Sequence, residues 1–102
     1  MVLTSYLQNG ELTIALTGEI DHHVAKDYIQ CINGKIEAYT PKRCTLDFTE
    51  VNFMDSSGIA VVINTLRGMS RIQGKLEVCG LQSQPRRVFI ASGVYKLVEI
   101  KG

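Results

Sequence analysis

Charge of one sign is scarce in this sequence. Eleven Lys and Arg stand against ten Asp and Glu, a net charge of +1. That argues against the basic footprint of a direct nucleic-acid binder and against an acidic tail. Long apolar runs are missing, and none approaches the ~20 residues of a membrane span. No basic segment followed by an apolar one opens the chain, so no signal peptide is expected and the expected location is the cytoplasm. Cysteine is confined to Cys31, Cys44 and Cys79. They are odd in number and widely spaced, with no CxxC and no Cys/His cluster. Buried, reduced thiols are expected, not a disulfide framework or a metal site. No phosphate loop of the form GxxxxGKS/T or GxGxxG is present, and no cofactor is expected. No linker, repeat or low-complexity stretch divides the chain, so residues 1–102 read as one domain, long enough for its own core.

The remaining pattern is an ordinary globular one, with 45% hydrophobic and 21% charged residues. Residues 2–8 read as extended, and Asn9-Gly10 is a two-residue hairpin signal. Leu12, Ile14 and Leu16 alternate across a second strand over residues 11–17. Asp21 is a good N-cap for a helix carrying Val24, Tyr28, Ile32 and Ile36, with Ala25 and Ile29 beside them. Pro41 ends that helix near residues 38–40. Cys44, Leu46 and Phe48 alternate inward over residues 43–48. A second helix carries Ile59, Val62, Ile63 and Leu66. Gly74 is its end signal, and Gly68 weakens its last turn. Val61 and Val62 in succession imply that this helix is well buried. Leu76 to Cys79 is a short strand. Ser83 and Pro85 open a third helix with Val88, Phe89 and Ala91 as core, and Gly93 closes it. Residues 95–100 read as a last extended segment. The order is β-β-α-β-α-β-α-β: an α/β fold with a mixed, mostly parallel sheet and an N-terminal antiparallel hairpin.

In such a sheet, functional loops gather at the carboxyl ends of the parallel strands. Two loops qualify. One carries Asp21, His22 and His23; the other carries Asp55, Ser56 and Ser57. If their strands are neighbours, Asp21 and Ser56 come close together. Both loops enter helix N-termini, where outward N–H groups and the helix dipole favour negative charge.

The pairing of Thr17-Gly18-Glu19-Ile20-Asp21-His22-His23 with Phe53-Met54-Asp55-Ser56-Ser57-Gly58-Ile59 resembles the STAS domain, in its bacterial anti-sigma-factor antagonist branch. The resemblance covers almost the whole chain, including element order and length. The Asp-His-His triplet is most similar to sporulation antagonists, which act on the regulator of sigma factor F. The resemblance implies a partner switch. The unmodified antagonist binds an anti-sigma factor that is also a serine kinase, and sigma is released. The kinase phosphorylates the serine directly after the aspartate, here Ser56, and the antagonist lets go. A serine phosphatase resets it. The implied partner-binding residues are Asp21, Asp55, Ser57, Gly58 and Ile59. The resemblance further implies a monomer with no catalytic residues, no metal and no membrane contact. Against the family the C-terminal segment is short, which implies that a last helix carried by some relatives is missing.

Each residue also has a plainer reading. Ser56 as a simple N-cap would stabilise its helix by about 1 kcal/mol. Asp21 is equally a cap, and Ser57 a first-turn residue. Gly58 admits a partner's backbone or serves a turn. His22 and His23 read as solvated, on different helix faces, which argues against a metal pair. Phe53 and Met54 read as core or rim, and Arg86 and Arg87 as a solvated face. Three rivals follow. Asp21, a histidine and Ser56 contain the residue types of a hydrolytic triad, but Gly-x-Ser-x-Gly is absent. A nucleotide- or small-ligand-binding module would rely on the helix N-termini alone. A regulatory domain cut from a transporter is disfavoured, because no membrane segment is present and the chain begins with Met1.

Overall fold

The computed structural model describes residues 3–101. Val2, the first residue of the expected opening strand, lies outside the described residues, as do Met1 and Gly102. The elements are β1 (Leu3–Gln8), β2 (Glu11–Ile20), α1 (His22–Tyr39), β3 (Arg43–Met54), α2 (Ser56–Arg71), β4 (Lys75–Cys79), α3 (Ser83–Ser92) and β5 (Glu99–Lys101), with one 3-10 turn at Val94–Lys96 before β5. The sheet order is β1-β2-β3-β4-β5. Only β1 runs antiparallel to its neighbour. The expected order and mixed sheet are thus the observed ones.

The hairpin follows from its turn residues. Asn9 and Gly10 both take positive φ, 55° and 79°, as a turn matched to the strand twist requires. Each later strand pairs beside the previous one, always stepping the same way. With right-handed crossovers, that places α1, α2 and α3 on one face of the sheet. Leu12, Ile14, Leu16, Cys44, Leu46, Phe48, Leu76 and Val78 point into that layer and are buried. Phe48 meets Phe89 of α3 edge to face, with ring centroids 5.7 Å apart. Val61 and Val62 are fully buried, so α2 is the central helix.

The opposite face of the sheet is polar. Arg43, Thr45 and Glu77 are held together there. Arg43 Nη1 lies 3.1 Å and Lys101 Nζ 3.3 Å from Glu77 Oε2, and the Thr45 hydroxyl donates to Glu77 Oε1 at 2.9 Å. Burial pushes the Glu77 carboxyl up. The Thr45 hydroxyl, Lys101 and Arg43 together outweigh it and leave the group below its ordinary value.

Several boundaries differ from the sequence reading. β2 runs on to Ile20 and β3 to Met54. Pairing between them shifts register twice, between Ala15 and Thr17 and between Gly18 and Glu19. Each shift adds a residue on β3. Its buried positions therefore pass from alternation at Cys44, Leu46 and Phe48 to every third residue at Val51 and Met54. A period-two pattern stops where the bulges begin. The segment over residues 95–100 is not one strand, because Val94–Lys96 forms a 3-10 turn that buries Val94. Ala91 is exposed, not core. Among the cysteines only Cys44 is buried; Cys31 and Cys79 are partly exposed, and all three are free thiols. Burial pushes the Cys44 thiol up to about 12. Finally, α2 continues through Gly68 to Arg71, and the left-handed residue after it is Gln73, with φ 59°. Gly74 is required there for space: a Cβ would press on Met69 and lie 3.1 Å from the carbonyl oxygens of Pro41 and Lys42.

Candidate functional site

β2 and β3 are hydrogen-bonded neighbours to their last residues, Ile20 opposite Met54. One further bond, from Asp55 N–H to the Ile20 carbonyl at 3.2 Å, carries the pairing past the strand ends. The N-termini of α1 and α2 therefore open side by side on the carboxyl edge of the sheet. Two parallel helix dipoles present their positive ends there.

Both helices are capped by aspartate. Asp21 Oδ1 accepts from the N–H groups of His23 at 2.9 Å and Val24 at 3.1 Å. The Asp21 carboxyl is held below its ordinary value, first by the Val24 N–H against a partial desolvation, then by the His23 N–H and the two imidazoles. Asp55 Oδ1 accepts from Ser57 N–H at 2.7 Å. Asp55 thus takes the N-cap position that was one reading of Ser56. Ser56 is the first helical residue; it is exposed, and its hydroxyl makes no hydrogen bond among the described residues. A serine relieved of capping is available for chemistry from outside.

The other expected site residues divide. Asp21, Asp55 and Ser57 are partly exposed at the same edge. Gly58 and Ile59 are buried. A Cβ on Gly58 would sit 2.6 Å from Met54 Sδ and 3.0 Å from Met54 Cβ. The glycine is therefore needed for packing inside the domain, against Met54. His22 and His23 are exposed, but their rings stack on each other at 4.5 Å. Separate helix faces do not describe them. Among the described residues no group of three metal-ligating side chains exists. Asp21 Oδ1 bonds backbone N–H groups, and among the described residues no hydrogen bond links the Asp21 carboxylate, a histidine ring and the Ser56 hydroxyl. Two surface concavities lie elsewhere. One is lined by Asn33, Ile36, Gly68 and Arg71 between the far ends of α1 and α2; the other lies along the β1–β2 hairpin.

Two further features belong to the site: Phe53, read from the sequence as core or rim, and Gln84, which the sequence does not single out. Phe53 is 42% exposed beside the serine turn, an aromatic surface within an acidic edge. Gln84 of α3 holds the backbone of Met54: it accepts from Met54 N–H at 2.9 Å and donates to the Met54 carbonyl at 3.0 Å. Thirty residues separate the two in sequence, and no local pattern marks such a contact.

The STAS domain family model matches residues 4–102. An anti-sigma F factor antagonist from Paenibacillus polymyxa is 28% identical over 91 residues, which are 89% of this chain and 78% of that protein. An anti-sigma-B factor antagonist from Listeria monocytogenes is 30% identical over 93 residues, 88% of this chain and 78% of that protein. The solved structure of the Bacillus cell fate determinant SpoIIAA in its phosphorylated form shares the fold, with a TM-score of 0.75 and 24% identity over 99% of this chain and 92% of that one. With its β-β-α-β-α-β-α-β order and its Asp-Ser-Ser-Gly turn at a helix start, the chain belongs to the STAS domain family, among the anti-sigma-factor antagonists.

Proposed function

We propose that this domain is the phosphorylatable partner in a sigma-factor switch. Its unmodified form binds an anti-sigma factor that is also a serine kinase and so frees the sigma factor; phosphate on Ser56 ends the binding, and a serine phosphatase restores it. The domain itself catalyses nothing and acts in the cytoplasm as a single monomeric unit spanning residues 1–102. The carrying observation is Ser56, an exposed first-turn residue with an unbonded hydroxyl because Asp55 does the capping.

The docking surface is the edge formed by Asp21, Asp55, Ser56 and Ser57. Phe53 is its apolar anchor, since aromatic residues dominate interface energetics. Gly58 and Ile59 shape that edge from beneath. A phosphoserine brings about −1.5 to −2 charges. Within the domain it meets the positive end of α2 and is tolerated; the fold shared with a phosphorylated SpoIIAA supports this. Across the interface it adds to the charge of Asp21 and Asp55 and must be desolvated. Moving from nearly all bound to nearly all free takes roughly 5.5 kcal/mol. An unpaired phosphate buried at an interface supplies several kcal/mol of that. Sporulation is the preferred setting, on the Asp21-His22-His23 triplet, while relatives named for sigma B stand at similar identity.

The test mixes the domain with the anti-sigma factor of its own genome and ATP, then maps phosphate by mass spectrometry. Phosphate is expected on Ser56 and is lost in Ser56→Ala but kept in Ser57→Ala. Absence of phosphate from every serine, with the kinase active on another substrate, would leave Ser56 a solvent-exposed helix residue and sink the proposal.

A further inference from the structure

β3 is longer than its neighbour on one side. β4 ends at Cys79, opposite Asp47, whereas β3 continues to Met54. Over that overhang β2 pairs with one edge only. On the other edge, backbone groups face a gap where a strand would be, and buried groups left unpaired there are costly. Two glutamines at the start of α3 fill the role of the missing strand. Gln82 Nε2 donates to the Thr49 carbonyl at 2.8 Å. Gln84 does more, because its amide both accepts from Met54 N–H and donates to the Met54 carbonyl. That is the pair of bonds a neighbouring strand would make.

Met54 is the joint on which the serine turn is built. It is fully buried, Gly58 of the first turn of α2 packs against its side chain, and its carbonyl is followed directly by the Asp55 cap. With Gln84 in place, Met54 is fixed on three sides: by β2, by α3 and by Gly58. We infer that Gln84 is a positioning residue for the serine turn, clamping Met54 from α3 so that the backbone carrying Ser56 is presented to the incoming kinase in one position. This rests on the proposed phosphorylation of Ser56. It places a determinant of the switch on an element that carries none of the motif residues. Gln84 does not touch the reacting hydroxyl; it acts through Met54 and Asp55.

The test compares wild type, Gln84→Ala, Gln84→Glu and the remote core variant Val78→Ala. Gln84→Glu keeps an acceptor for Met54 N–H and sets a carboxylate oxygen against the Met54 carbonyl. Backbone amide exchange is read by NMR in the free domain, and the kinetics of Ser56 phosphorylation with the purified anti-sigma factor kinase. In Gln84→Ala, protection should fall about tenfold or more at Met54 and the following turn, with residues 43–48 unchanged. In both Gln84 variants kcat should fall roughly tenfold, with KM within about a factor of two, because a displaced nucleophile loses reaction geometry more than binding. Val78→Ala should lower stability without this kcat effect. Unchanged protection at Met54, unchanged kcat, or an equal slowing in Val78→Ala would overturn the assignment. A wild-type domain that gains no phosphate defeats the proposed switch itself; the exchange data then still decide whether Gln84 holds the turn.

Discussion

Ser56 and Asp55 divide two duties that a single helix-start residue often combines. Asp55 satisfies the first turn of α2 through Ser57 N–H, and Ser56 is left free. Ser56→Ala should therefore change unfolding free energy by less than about 0.5 kcal/mol, as exposed surface substitutions do, while abolishing phosphorylation. Asp55→Ala should cost about 1 kcal/mol in urea denaturation, the usual loss of a cap. Gly58→Ala forces a methyl group onto Met54 and should cost about 1–2 kcal/mol despite alanine's better helix propensity. The Asp21 carboxyl gives a pH signature. Its folded-state value lies below the ordinary 3.8, so its contribution is fully present above that value and fades as pH falls through the folded one. The stability gap between wild type and Asp21→Ala should be constant near neutrality and should narrow on acidification below about pH 4. A gap that widened toward acid would contradict the cap as drawn. The aspartates and serines of this turn were legible in the sequence. The assignment of the cap to Asp55 was not, because serine and aspartate are equally good cappers and only the chain's path into α2 chooses between them.

At the scale of elements, α1 and α2 lie against each other, and their packing decides what Gly68 costs. A Cβ there would meet Ile36 Cδ1 at 3.4 Å, ordinary contact, with no backbone in the way. The helix already runs through this position to Arg71. Gly68→Ala should therefore stabilise the domain by about 0.5–1 kcal/mol, seen as a higher urea midpoint at unchanged slope. Gly74→Ala should do the opposite, since two backbone carbonyls cannot move aside. In sequence Gly74 reads as the end signal of this helix and Gly68 as a weak point in its last turn. The difference between them lies in what stands opposite, and that is set by the β3 entry and the end of α1. β3 shows the same division. Its first half alternates legibly, and its second half does not, because two bulges inserted by pairing with β2 reset the inward positions. The expected strand stopped at residue 48 for that reason, and with it any view of the overhang that α3 clamps.

For the whole molecule, the three helices cover one face of the sheet and leave the other polar. Glu77 is the centre of that open face, 7% exposed yet bonded to Arg43, Lys101 and Thr45. Its partners are substantially solvated, so Glu77→Ala should cost a moderate ~1–2 kcal/mol, without affecting phosphorylation at the far edge. The switch itself is a prediction at this scale. Phosphorylation of Ser56 should leave far-UV circular dichroism unchanged and confine amide shift changes to the two helix starts. Widespread shifts would mean that phosphate refolds the domain and would contradict a purely interfacial mechanism.

The sequence by itself determined the element order, the hairpin, the helical face of the core and the identity of the serine turn. These rest on local signals: turn residues with positive φ, apolar periodicity, and capping residues at helix starts. Only the tertiary structure decided that the two acidic turns open side by side, that Gly58 is spent on Met54, that both histidine rings stack, and that Gln84 completes the edge of β3. The Gly58–Met54 and His22–His23 contacts are short-range and follow from the path of the chain into α2 and α1; the other two depend on contacts between residues far apart in the chain. Such contacts are created by the register of β2 on β3 and by the docking of α3, and a linear pattern carries no record of either.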